Sequence, residues 1–251
     1  MTTVDIRRNL EQVEEQIASA CRAANRSRDS VELMAVSKTH PSSAILEAAQ
    51  LDLHLFGESK VQEFAAKSAE LSVPASLGSG QTVRSQISAH LIGHLQSNKA
   101  AKAVEVFDGI DTLDSLKLAE RLNSAVEASP LWTGRRLPVL LEIKLSHEES
   151  KSGLDPNSHE FVQLLERLPS LPHLEAQGLM TIAPFDVPES ETRACFRALR
   201  QLQEKLSAQH PRLNLQVLSM GMSGDFALAI AEGSTRIRIG TAIFGAREYP
   251  Q

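Results

Sequence analysis

The chain has 251 residues, 42% hydrophobic and 23% charged, with 13 Gly and 11 Pro. These fractions belong to an ordinary globular protein and exclude collagen-like, coiled-coil and disordered chains. A net charge of −5, from 26 Lys+Arg against 31 Asp+Glu, argues against a nucleic-acid scaffold or a binder of anionic membranes.

The first segment reads as an amphipathic helix, because Ile6, Leu10, Val13, Ile17 and Cys21 form one apolar stripe. Thr2 or Thr3 can cap its start, Asn25–Ser30 ends it, and the stripe is expected to pack against the body of the same chain. From Val31 onward, short apolar runs alternate with helical patterns. The runs are Val31–Ser37, Leu53–Phe56, His90–Leu95, Val106–Asp111, Leu137–Leu145, Leu174–Ile182, Leu215–Met220 and Thr235–Gly240. Helical stretches follow, the clearest being Ser115–Ser129 and the long one from Glu189 to about Ala208. Ser72–Ser85 is polar and Gly-rich and reads as a mobile loop, as does the stretch beginning at His147.

Alternating β and α units with apolar strands call for a parallel sheet covered by helices. Eight of them most economically close into an α/β fold of the (β/α)8 TIM barrel type, with an extra N-terminal helix and a single domain over residues 1–251. An open doubly wound sheet is the alternative, but no strand is followed by G-x-G-x-x-G and no G-x-x-x-x-G-K-[ST] occurs. Cys21 and Cys195 lie far apart with no metal-ligand spacing, as expected of free thiols in a reducing cytoplasm. The start, MTTVDIRRNLEQVEEQ, has no basic-then-apolar leader, and no apolar run reaches the roughly 20 residues of a membrane span. A cytoplasmic protein is expected.

In such a barrel, chemistry sits at the C-terminal ends of the strands, and phosphate sites favour the loops after strands seven and eight. Strand one delivers Lys38, whose amine would point into the barrel mouth. Half-buried beside apolar walls, its ammonium pKa should fall, making it a candidate imine-forming nucleophile. Strand seven ends in LSMGMSGD, which places Ser219 and Met220 at the strand end and Ser223 at the start of a helix expected near it. Its N–H groups and hydroxyls form a candidate anion cradle. Strand eight ends in RIRIGTAIFG, where Gly240 and Thr241 add a second cradle, and period-two spacing puts Arg236 and Arg238 on one interior face. A lysine, a phosphate cradle and an interior arginine together fit an aldehyde cofactor carrying a phosphate, namely pyridoxal 5′-phosphate. Lys38 would form the internal aldimine, and Arg238 would face the pyridine nitrogen, which makes the ring a weaker electron sink than one paired to Asp.

The segments LMAVSKTHP, FGESKVQE, HLIGHLQSNKA, GLMTIAP and LSMGMSGDFALAIAEGSTRIRIGTAIFGAR, from Leu33 to Arg247, closely resemble the pyridoxal phosphate homeostasis protein family. That family is related in fold to the N-terminal barrel of alanine racemase. The resemblance implies a single-domain barrel binding pyridoxal phosphate covalently at Lys38, with Ser223, Gly240 and Thr241 at the phosphate and Arg238 at the pyridine nitrogen. It implies a role in vitamin B6 and amino/keto acid balance, without a well-defined catalysed reaction. The cofactor would be passed to pyridoxal phosphate-dependent apo-enzymes by a monomer or weak dimer that binds neither nucleic acid nor membrane. Two departures stand out: Ser59-Lys60 where the family commonly has Asn-Tyr, and Ala89 where it commonly has Trp. The Asn approaches the cofactor in the family, so its role is not carried over to Ser59.

Other candidates read as structural. His90 and His94, if both on a strand, would lie about 13 Å apart, too far to share a metal ion. Lys144 is a second lysine able to reach the mouth, with pairing to Glu142 or Glu63 as its structural role, and Asp114 reads as a helix N-cap. Two further functions remain open at this level. An amino-acid racemase would need a second base opposite Lys38, and the sole tyrosine, Tyr249, lies at the tail. A cofactor-free Schiff-base aldolase would use Lys38 or Lys144, and the cradle would hold a substrate phosphate.

Overall fold

The computed structural model describes residues 4–73, 82–145 and 152–246. In chain order the elements are α1 (Ile6–Ala23), β1 (Glu32–Val36), α2 (Ser42–Ala49), β2 (Leu55–Glu58), α3 (Val61–Leu71) and β3 (Ser88–Leu91). They continue with α4 (Ala100–Val106), β4 (Gly109–Leu113), α5 (Leu116–Glu127), β5 (Leu137–Glu142), α6 (His159–Arg167) and β6 (Leu174–Met180). The last are α7 (Glu189–Gln209), β7 (Val217–Met222), α8 (Phe226–Ala231), β8 (Arg236–Ile239) and α9 (Thr241–Phe244). The eight strands are parallel and pair in sequence order, and β8 closes on β1 through Glu32↔Arg236 to Ala35↔Ile239. This is the (β/α)8 TIM barrel expected, with α1 added before it.

In α1, the predicted stripe of Ile6, Leu10, Val13, Ile17 and Cys21 is buried, and the helix packs on α8 and α9 of the same chain. Its cap is Asp5, whose carboxylate accepts the Arg8 N–H at 3.0 Å; Thr2 and Thr3 lie outside the described residues. Most of the loop expected at Ser72–Ser85, and the start of the one expected at His147, also lie outside them. Thr82 is described, and it caps a short 3-10 turn over Val83–Ser85.

Along each strand the residues alternate between the helices and the barrel interior. Phe56, Leu141, Leu179 and Ile237 join the main apolar core between strands and helices. Met34 faces inward, where a Cβ at Gly57 would come within 2.8 Å of its sulfur and make the Met34 and Ile92 side chains shift. One departure from regular pairing matters for the site. Between Ser219↔Arg236 and Met222↔Arg238, β7 carries one more residue than β8, a bulge that re-aims the end of the strand. Within it Gly221 has φ +96°, and a Cβ there would sit 2.6 Å from that of Ala229 on α8. Glycine alone lets the strand turn this tightly onto its helix.

Candidate functional site

At the C-terminal end of the barrel a cavity of about 380 Å³ opens to solvent. That volume suits a small ligand. Strand β1 and the turn after it contribute Val36, Lys38 and His40, while Ile92 follows β3 directly. The segment after β6 gives Ile182 and Phe185, β7 with its turn gives Met222, Ser223 and Gly224, and β8 with its turn gives Arg238, Gly240 and Thr241. Five of the seven residues singled out from sequence therefore meet in one cavity: Lys38, Ser223, Arg238, Gly240 and Thr241.

The other two do not line it. Strand β7 runs two residues further than expected, to Met222, so Ser219 and Met220 are fully buried inside it rather than at its end. Met220 belongs to the apolar core and offers nothing to a ligand. Ser219 acts one layer down, where its hydroxyl and carbonyl oxygens both accept from Nη1 of Arg238 at 2.8 Å. Nη2 of Arg238 donates to the Thr181 carbonyl, also at 2.8 Å. The guanidinium is thus fixed by main-chain and hydroxyl oxygens of β6 and β7, and among the described residues no carboxylate lies at salt-bridge distance from it. Burial pulls its pKa below the usual arginine value, against the raising effect of Asp111, Asp225 and Glu142. An arginine still carries its proton under those conditions.

The anion-binding side is built from backbone. Helix α8 starts at Phe226, three residues later than expected. Residues Met222–Asp225 form a turn closed by the Asp225 N–H on the Met222 carbonyl at 3.1 Å, with the Asp225 carboxylate accepting the Met222 N–H at 2.6 Å. None of the N–H groups of Ser223, Gly224, Gly240 and Thr241 is consumed by a hydrogen bond among the described residues. Four unused donors on two adjacent strand ends suit a phosphate-sized anion.

Lys38 is half-buried on the rim beside β8, which pairs with β1, one residue beyond the buried Ser37. The turn that carries it is closed by the His40 N–H on the Ser37 carbonyl at 3.1 Å and holds Thr39 at φ +69°. A β-branched residue there is an outlier costing about 1–3 kcal/mol, so the surroundings must impose it.

Beneath the cavity lies a layer of ions that sequence reading missed. Asp111, in mid-β4 rather than at its end, accepts from Nδ1 of His90 at 2.7 Å and Nη1 of Arg236 at 3.2 Å. Arg236 also binds Glu32 at 2.7 Å. Burial alone would raise Asp111, but His90, Arg236 and Arg238 together hold its carboxyl below the usual range. Its only sequence signal was an acidic residue on an otherwise apolar strand.

Several structural expectations are corrected. Strand β3 ends at Leu91, so His94 is not on it; its Nδ1 pairs with Asp114 at 2.9 Å. The chain leaves the sheet at Gly93, where a Cβ would meet the Ser59 carbonyl oxygen at 2.3 Å. Ser115, not Asp114, caps α5 by accepting the Leu118 N–H. Glu142 takes a hydrogen bond from Ser152, and Glu63 pairs with Lys67. Both cysteines are buried and neither is in a disulfide among the described residues, and no described helix is long and apolar enough to cross a membrane.

The family model of the alanine racemase N-terminal domain matches residues 8–248 of this closed parallel barrel. The chain belongs more particularly to the pyridoxal phosphate homeostasis protein family. It is 43% identical over 251 residues to the Haemophilus influenzae protein of that name, covering 98% of both chains. It is also similar to the structure of PipY of Synechococcus elongatus PCC7942 with PLP bound, at TM-score 0.73 and 41% identity, covering 91% of this chain and all of that one. An alanine racemase of Clostridium difficile 630 shares the fold at TM-score 0.67 and 17% identity; the match covers 98% of this chain and 57% of that one.

Proposed function

We propose that this chain binds pyridoxal 5′-phosphate covalently through Lys38 and holds it for vitamin B6 and amino/keto acid homeostasis, without catalytic turnover. The observation that carries the reading is the convergence, in one cavity, of an amine, a fixed guanidinium and four unused backbone donors. When bound, the cofactor supplies an aldehyde and an electron-withdrawing ring. The neutral Lys38 nitrogen would add to the aldehyde carbon and water would leave. The N–H groups of Ser223, Gly224, Gly240 and Thr241, with the Ser223 and Thr241 hydroxyls, would hold the phosphate. Arg238, locked by Ser219 and Thr181, would donate to the ring nitrogen and keep it unprotonated. Ser219 thus serves as a support for Arg238 rather than as a ligand. The open mouth suits release to apo-enzymes in the cytoplasm by a monomer or weak dimer.

The test is intact mass after incubation with pyridoxal 5′-phosphate and borohydride reduction. The wild type should gain one pyridoxyl phosphate, and Lys38→Ala should lose that gain at the barrel mouth. Labelling that persists chiefly on Lys144 would overturn the assignment.

A further inference from the structure

Behind Lys38, between the ends of β1 and β2 and the helix α3, lies a group of buried ions that the cavity does not contain. The Nζ of Lys67 donates to Glu58 Oε1 at 2.8 Å, to Glu63 Oε1 at 2.9 Å and to the Ser37 carbonyl at 3.1 Å. The Ser37 hydroxyl donates to the same Glu58 oxygen at 2.8 Å. Glu63 Oε1 also accepts the Thr39 N–H at 2.7 Å. Ser37 and Thr39 are the two chain neighbours of Lys38, so the cluster grips the backbone on both sides of the lysine.

This segment needs gripping. With its third residue at φ +69°, the Ser37–His40 turn is of the kind that normally places Gly or Asn there. Thr39 has no intrinsic reason to adopt that conformation. A relaxed, extended Thr39 would reorient the peptide after Lys38 and with it the root of the side chain. A mere tie between helix and sheet would be complete with the Lys67–Glu58 pair. Here the ammonium is also directed at a main-chain carbonyl of the turn, and the second carboxylate at a main-chain N–H.

We propose that Lys67, with Glu58 and Glu63, is a positioning cluster that holds the Ser37–His40 turn in its left-handed form and so aims the Lys38 amine into the cavity. The proposal rests on the reading of Lys38 as the amine that captures the aldehyde.

Two variants and two ligands test it. Lys67→Met combined with Glu58→Gln removes the cation without leaving a buried carboxylate ion. Glu63→Ala, at the half-exposed edge, removes the Thr39 acceptor without opening the core, and it carries the test alone should the double variant not fold. Pyridoxal 5′-phosphate reads amine delivery, whereas pyridoxine 5′-phosphate, with an alcohol in place of the aldehyde, reads the cradle alone. Each variant should develop the yellow adduct about ten- to a hundred-fold more slowly, with pyridoxine 5′-phosphate affinity within about twofold of wild type. Adding Thr39→Gly to Glu63→Ala should restore most of the lost rate, because glycine takes a positive φ unaided. Wild-type rates in both variants, a parallel loss for both ligands, or no rescue by glycine would overturn the positioning role. A wild type that forms no adduct, or a Lys38→Ala variant that forms as much, would overturn the underlying reading of Lys38 and this one with it.

Discussion

Two buried carboxylates, one in the floor of the barrel and one at its mouth, meet opposite fates. Asp111 in the floor has both oxygens bonded, to His90 and to Arg236, and its pKa is held down despite complete burial. Glu142, at the end of β5, has one oxygen bonded to Ser152 and the other without a partner among the described residues. Burial dominates there and raises its pKa, with Asp114 adding to the rise and Arg238 and His94 only partly offsetting it. The floor is an ion network closed on itself and built for stability. The mouth leaves polar groups unsatisfied, both Glu142 and the four N–H groups of the cradle, and this is where a ligand has something to gain.

The comparison breaks most visibly at Asp111. Asp111→Ala would strip the floor of its central anion and leave Arg236 with the half-exposed Glu32 alone. Removing one partner of a buried ion cluster costs about 3–5 kcal/mol, and the Glu32 contact should place this variant near the lower bound. Urea denaturation should show the loss as a lower midpoint with unchanged slope. A shift as small as that of a surface substitution would mean the floor is not the closed network described.

Why the floor was invisible in the sequence, while the mouth was legible, follows from how each is built. The cradle residues are local: Ser223 and Gly224 share one turn, and Gly240 and Thr241 another, each directly after a strand whose apolar run marks it. Lys38 is legible for the same reason. The ion clusters join residues far apart in sequence, with Asp111 and Arg236 separated by 125 positions, and no local pattern couples them. The β7 bulge misled in the same way. An extra residue between Ser219 and Met222 depends on pairing with β8, so the strand that reads as ending at Met220 runs on to Met222. His94 reads as strand when His90–Leu95 is read as one run, yet β3 ends at Leu91, and the chain then passes so close to Ser59 that a Cβ at Gly93 would meet its carbonyl oxygen. Thr39 gave no sign of its positive φ, since the groups that impose it sit on α3.

A smaller effect sharpens the comparison through pH. Because the Glu142 pKa is raised on folding, the native state binds more protons than the unfolded state between the ordinary carboxylate value and the folded one. Its favourable contribution is therefore present in acid and lost as pH rises through the folded pKa. Asp111, with its pKa lowered, has the opposite sign: its contribution is present above the ordinary value and lost as pH falls through the folded one. Glu142→Gln should accordingly gain on the wild type as pH rises from about 4 to 8, while Asp111→Asn should be most damaging at neutral pH. Thermal melts across that range check both signs. Parallel stability curves for wild type and Glu142→Gln would mean the mouth carboxylate is solvated after all.

The smallest expected effect on the fold is at the outer rim. Phe185 lines the cavity yet is 89% exposed, the most exposed large apolar side chain among the described residues, and Ile182 and Met222 beside the same opening are more than a third exposed. An aromatic ring left in water buries almost nothing, so Phe185→Ser should change stability by less than about 0.5 kcal/mol. For a chain of this size that is a melting shift of at most about 2 °C. A ring at the lip of a cavity is different once the cavity is filled, because the ligand supplies the apolar surface that Phe185 lacks in the free protein. Pyridoxine 5′-phosphate should then bind several-fold more weakly to Phe185→Ser, about 1 kcal/mol, while the melting temperature of the free protein stays put. Equal affinity would place the ring outside the bound complex and confine the working mouth to Lys38, Arg238 and the two backbone turns.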